Sequence, residues 1–232
     1  MTEAKPNNAP LVSVIMAAYN AAEHIAEALD SVLVQDWQPL ELVVVDDGST
    51  DDTAAIVGRY PDVIYVRQDN QGPSAARNAA IEHSSGEFVA NFDSDDLLPP
   101  TRVGDQARYL LVHPEVGAVF GRQAWINAPE WMARDSVYGD VDGIPLSSVM
   151  FRREVFFELG GYDTSFVHGE DMDLLMRIRE RGIQYQIIPE IVLYRRYQAS
   201  SLTGGRPSHE PLLRSLRAKL AREHQPEQGT EA

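Results

Sequence analysis

Four short apolar runs, rich in β-branched residues and each closing on polar residues, constrain this chain more than any other feature. "LVSVIMAA", "ELVVVDD", "VIYVRQ" and "EFVANFD" all fall within the first hundred residues. Each has the length and composition of a buried strand. Between the first two, Ile25, Leu29, Val32 and Leu33 recur at helical spacing, and Asn20 with Glu23 three residues on predicts a capping box. "GSTDDTAAIVGRY" predicts turn, cap and helix, and Gly72-Pro73 opens a further helix because proline suits a first helical position. Strand and helix alternating at this spacing imply right-handed crossovers and a mostly parallel sheet covered on both faces.

The second half is less regular. "GAVFGR" and "SSVMFRR" read as strands, "DMDLLMRIRERG" as an amphipathic helix, and "YQIIPEIVLYRRY" as one or two strands. The expected class is α/β, as a single domain over residues 11–221 between disordered polar tails at 1–10 and 222–232.

Composition narrows the function. The chain has no cysteine, which removes disulfides, thiolate nucleophiles and zinc–thiolate sites. A formal net charge of -15 argues against nucleic acid as a partner, since phosphate backbones require clustered Lys and Arg. "MTEAKPNNAP" lacks the pattern of a signal peptide, and no apolar run approaches the roughly 20 residues of a transmembrane span. The expectation is a soluble cytoplasmic protein.

Ligands of parallel sheets bind outside the carboxyl ends of the strands. Here those ends carry Ala18-Tyr19-Asn20, then Asp46-Asp47-Gly48-Ser49, then Asp93-Ser94-Asp95-Asp96. Any strand must exit into polar residues, so one such loop says little; three on one edge say more. Alternate residues on a strand stand roughly 6.7 Å apart, and two carboxylates at that range repel by about 2.5 kcal/mol at an effective dielectric of about 20. A divalent cation offsets this, and Mg2+ or Mn2+ takes carboxylate oxygens together with substrate phosphates. Asx-turns and caps also recruit aspartate, and Asp96 before "LLPP" fits a turn.

The motifs "AAYNAAEHIAEALDSVLVQDW", "ELVVVDDGSTDDT", "QGPSAARNAAI", "GEFVANFDSDDLLPP", "FRREVFFELGGYD" and "HGEDMDLLMRIRERG" occur in one series. In that series the chain resembles the family 2 glycosyltransferases, from about Val12 to Ser201. The resemblance implies a GT-A, Rossmann-like fold, with residues 11–100 binding a nucleotide sugar and 101–221 binding an acceptor. It places Ala18, Tyr19 and Asn20 beside the nucleotide base and Asp47 at the uracil or ribose. Arg77 falls near the nucleotide, Asp93 and Ser94 against the donor, and Asp95 on Mn2+ or Mg2+. Asp171 matches the catalytic base, with Glu170 beside it. The implied reaction is single displacement with inversion, from a UDP-sugar to a glycan, lipid, protein or small-molecule acceptor, with a homodimer possible.

Such chemistry suits those residue types. A departing nucleoside diphosphate gathers negative charge that a cation stabilises, and an attacking hydroxyl needs a carboxylate within hydrogen-bond reach. Each residue also has a plainer reading: Asp171 as a helix N-terminal charge, Arg77 as a surface cation, Trp125 and Trp131 as half-buried structure rather than sugar platforms, and His168 as a solvated loop residue. "YRRYQASS" supplies Arg195, Arg196 and Tyr197 but no histidine where the family often has one. Two rival readings remain at this level. One is an inactive sugar-nucleotide-binding or scaffold module; the other is a haloacid-dehalogenase-like phosphatase, disfavoured because the aspartate triplet follows the fourth strand and Leu97 stands where Thr or Val is needed.

Overall fold

The computed structural model describes residues 9–127, 145–166, 169–197 and 210–223. A seven-stranded sheet organises them: β1 (Val12–Ala18), β2 (Leu40–Asp46), β3 (Val63–Arg67), β4 (Phe88–Asp93), β5 (Val116–Ile126), β6 (Met150–Arg152) and β7 (Gln184–Arg196), in the order β3-β2-β1-β4-β6-β5-β7. The pairs β1/β2, β1/β4, β2/β3 and β5/β7 are parallel, and the short β6 runs antiparallel to both β4 and β5. This is the expected α/β class with a mostly parallel sheet.

Among the described residues seven α-helices accompany the sheet: α1 (Ile25–Leu33), α2 (Thr53–Val57), α3 (Pro73–Glu82), α4 (Arg102–Val112), α5 (Arg153–Leu159), α6 (Glu170–Glu180) and α7 (Glu210–Glu223). Alternation along β1 sends Val12, Val14 and Met16 into one apolar layer, with Ile25, Leu29 and Val32 of α1 and Val103, Ala107 and Leu110 of α4. Ile15 points the other way. It joins a second layer with Ala76, Ala80 and Ile81 of α3, Val155 and Phe156 of α5, and Leu174 and Ile178 of α6. Helices therefore cover both faces, as the near-continuous apolar strands require.

Several local expectations give way to longer-range contacts. The Asn20–Glu23 capping box does not form. Asn20 adopts a positive φ of 49°, its side chain accepts the Thr50 N–H at 2.8 Å, and α1 begins only after His24. "SSVMFRR" is a 3-10 turn at Leu146–Ser148 followed by three residues of β6, and its second arginine already opens α5. "YQIIPEIVLYRRY" is one strand. Its register against β5 steps from Gly121↔Ile188 to Arg122↔Ile191, so Pro189 and Glu190 bulge out of the ladder at a point where proline lacks an N–H to give. Helix α7 extends to Glu223, into the stretch expected to be tail. Among the described residues no helix is long and apolar enough to cross a membrane.

Register delivers the polar loops to one edge. Ala18 lies opposite Asp46 and Ala17 opposite Asp93, so the ends of β1, β2 and β4 stand side by side.

Candidate active site

A cleft of about 290 Å³ opens at that edge, lined by Ala17 near the end of β1 with Tyr19 and Asn20 beyond it, by Ala21, Glu23 and His24 before α1, and by Asp93 at the end of β4 with Ser94 and Asp95 beyond it. Tyr19 is 54% exposed, a large ring left at the rim with a free face. Ala18 is buried behind it, and its carbonyl accepts the Asp47 N–H at 2.8 Å. The cleft thus unites five of the expected site residues and adds Glu23 and His24, which sequence reasoning assigned elsewhere or passed over. Their signal was position alone, since the turn between β1 and α1 borders the same edge.

Asp46 and Asp47 are committed within the protein. Asp46, fully buried, accepts the Ser49 N–H at 2.7 Å, the Tyr65 hydroxyl at 2.7 Å and Arg67 at 3.1 Å. Burial pushes its pKa up, but the Ser49 and Tyr65 hydrogen bonds and the Arg67 charge outweigh this and hold it below the ordinary aspartate value. Asp47 accepts Gln68 Nε2 at 2.7 Å, the Gln71 N–H at 2.9 Å and the Gly72 N–H at 2.8 Å. It fixes the turn that launches α3, including Gly72 at φ +91°.

The three aspartates after β4 occupy different environments. Asp93 is deprived of water, which raises its pKa, but the adjoining Arg77 guanidinium, with help from Arg195, brings it below the ordinary value. Asp95 is raised by loss of hydration and then by the Asp93 charge. Asp96 is pushed up to about 8 by burial and by its two acidic neighbours. Asp96 serves the turn: its carboxylate accepts the Arg196 N–H at 2.8 Å, while Leu97 and Tyr194 exchange backbone hydrogen bonds. Arg196 also donates to the Asp95 carbonyl at 3.0 Å and to Glu27 at 2.6 Å. The end of β7 is thereby bolted to the acidic loop. Behind it Arg102 is fully buried; burial lowers its pKa to about 9, and it donates to the Asn91 carbonyl at 2.7 Å.

On the other side of Asp93 stands Arg77, with only 10% of its side chain exposed. It donates to Asp93 at 3.0 Å and to Glu170 at 2.8 Å, and lies 5.8 Å from the centre of the Tyr162 ring. The arginine expected near the nucleotide is an interior bridge between two carboxylates, not the surface cation of its plainer reading. Glu170 and Asp171 are the first two residues of α6, the end of a helix that favours negative charge. Asp171 is exposed to solvent, is not among the residues that line the cleft, and accepts the Met172 N–H at 2.8 Å. Protein crowding its inner side, and then the Glu170 charge, raise its pKa. Glu170 is taken up by Arg77, so Asp171 is the carboxylate of the pair that remains available. Trp125 is half-buried on β5 with the Arg195 guanidinium 5.0 Å from its ring centre. Trp131 and His168 lie outside the described residues.

The comparisons with known proteins agree with this architecture. The family description "Glycosyl transferase family 2" matches residues 13–169, and the chain belongs to that family. A Bacillus subtilis protein named as a glycosyltransferase, EpsE, is 31% identical over 201 residues, covering 77% of this chain and 70% of its own. An uncharacterized glycosyltransferase of Haemophilus influenzae is 36% identical over 109 residues, covering 45% of this chain and 44% of its own, so the chain matches less than half of that relative's length. Among solved structures, S. aureus TarS 1-349 in complex with UDP superposes with a TM-score of 0.72 at 21% identity, over 94% of this chain and 67% of its own, a likeness of fold. The mannosyltransferase PcManGT from Pyrobaculum calidifontis, in complex with GDP-Man and Mn2+, gives a TM-score of 0.71 at 28% identity over 94% of this chain and 66% of its own.

Proposed function

We propose that this chain transfers a glycosyl group, with inversion, from a nucleoside diphosphate sugar to an acceptor hydroxyl, with residues 11–221 acting as one domain. The observation that carries the reading is the joining of two carboxylate stations through one arginine: Asp93, at the donor cleft, and Glu170, next to the open Asp171, both bind Arg77. A donor carboxylate and an acceptor base are what single displacement requires, in one site and on separate elements.

Among the described residues no three His, Cys, Asp or Glu side chains converge to hold a metal ion alone. The donor set nevertheless fits Mn2+ or Mg2+. Asp95 offers hard carboxylate oxygen at the cleft wall, and these ions complete their shells with substrate phosphates and water. When bound, the cation supplies positive charge to the departing diphosphate. Asp95 holds it, and Asp93 and Ser94 line the donor's path. Tyr19 and Asn20 border the nucleotide, with Ala18 and Asp47 shaping the wall behind. Asp171 takes the proton as the acceptor oxygen bonds to the anomeric carbon. The bond from that carbon to the diphosphate oxygen breaks, and the nucleoside diphosphate leaves with the electron pair. Its raised pKa suits Asp171 to accept that proton.

UDP-sugar is the donor implied by the motif series, and GDP-mannose, the ligand of PcManGT, is the competing choice. The test is thermal stability in Mn2+ with UDP-glucose, UDP-galactose, UDP-N-acetylglucosamine and GDP-mannose, followed by nucleotide release. One UDP-sugar should raise the melting temperature and release UDP only with metal present. Stabilisation without any release or transfer would support a binding module instead. No stabilisation by any donor would refute the reading.

A further inference from the structure

Helix α3 carries three polar residues, Ser74, Arg77 and Asn78, at the i, i+3, i+4 spacing that places side chains on one helix face. All three reach the segment that leads to Asp171. Ser74 donates to the Phe166 carbonyl at 3.3 Å. Asn78 donates to the Tyr162 carbonyl at 2.9 Å and accepts the Tyr162 N–H at 2.8 Å. Arg77 holds Glu170 and, with its other terminal nitrogen, Asp93. The turn is shaped to allow this: Gly160 and Gly161 both have φ of +78°, and a side chain on Gly161 would begin 3.0 Å from the Asn78 amide oxygen. The contacts to that segment join residues 84 to 93 apart in the chain.

We propose that Arg77 is a positioning residue, which sets the acceptor base against the donor loop by tying Glu170 to Asp93, with Ser74 and Asn78 clamping the approach to Asp171. This rests on the transferase reading above and assigns the "SAARN" stretch a role other than nucleotide contact. Both terminal guanidinium nitrogens are already engaged with carboxylates, and the group is nearly enclosed. A lysine is a single point charge and cannot span both partners as the planar fork does.

Three measurements test it: UDP affinity in Mn2+, turnover of the donor that the wild-type chain cleaves fastest, and the pH dependence of that turnover. In Arg77→Lys, turnover should fall about 100-fold, the scale set by roughly 1 Å of misplacement, while the UDP Kd stays within about threefold. Should Arg77→Lys fail to fold, Glu170→Gln carries the test by cutting one end of the bridge and leaving Arg77 on Asp93. It should show the same split. It should also move the acid limb of the pH–rate profile downward, because the Glu170 charge raises the Asp171 pKa; a merely structural lesion would leave that limb in place. Loss of UDP affinity in step with turnover would overturn the proposal in favour of nucleotide contact, as would wild-type turnover in both variants or an unmoved limb. A wild-type chain that neither binds UDP nor cleaves any donor refutes the transferase reading itself, before any variant is compared.

Discussion

Asp47→Ala separates two roles that one residue can hold. The carboxylate accepts hydrogen bonds from the Gln71 and Gly72 backbone and from the Gln68 amide, and the side chain is buried. Alanine leaves two backbone N–H groups without acceptors. Hydrogen bonds to charged groups contribute about 1.5–3 kcal/mol each. Gln71 is exposed and Gly72 half-buried, so water recovers part of the loss, and the low end of that range applies. The expected destabilisation is about 3 kcal/mol for the pair. In a protein of this size that lowers the melting temperature by about 6–12 °C. Urea unfolding followed by circular dichroism measures it, with the midpoint shifted and the slope unchanged. UDP affinity is measured alongside, at a temperature where both proteins are folded. A variant that melts within about 2 °C of wild type would show that the turn does not depend on Asp47. If it lost nucleotide affinity at the same time, direct contact with the donor would replace the structural role.

Three further outcomes follow from the site. Asp171→Asn should lower transfer about 100- to 10,000-fold, the usual contribution of a general base, with UDP affinity in Mn2+ unchanged; calorimetry and a nucleotide-release assay check both halves. Asp95→Asn should remove the part of the UDP-induced thermal shift that depends on Mn2+, and chelation should remove it from wild type; an undiminished shift would place the ion elsewhere. Asp46 has a folded pKa below the ordinary aspartate value, so it contributes stability that is present above that ordinary value and is lost as pH falls through the folded pKa. Replacing it with Asn should flatten the stability profile below about pH 4, as read from urea midpoints.

The first hundred residues were legible because their signals are local. β1, β2 and β4 are continuous apolar runs, and the Gly72-Pro73 start of α3 is a matter of backbone chemistry at two adjacent residues. The acidic loop was legible as a place, and Asp96 as a turn residue. Arg77 was legible through the motif series as a residue near the nucleotide, but nothing within ten residues names its partners, which come from β4 and from a helix 93 residues away. Asn20 misled for the same reason. Its residue type fits a cap, but the Thr50 N–H from the neighbouring strand's loop claims its side chain. Helix α4 escaped because the buried polar groups Arg102 and Gln106 interrupt its apolar period.

The brevity of β6 has a consequence for how such a chain can diversify. It pairs with Phe88–Ala90 of β4 and with Ala118–Val119 of β5, and releases both strands before Asp93 and Trp125 are reached. Among the described residues the strand partner of Asp93 is then Ala17 of β1. A change on the β5 side of Asp93 therefore leaves every strand pair among β1, β2, β3 and β4 intact. A chain on this plan can vary its surface beside β5 while the cleft edge formed by β1, β2 and β4 keeps its register.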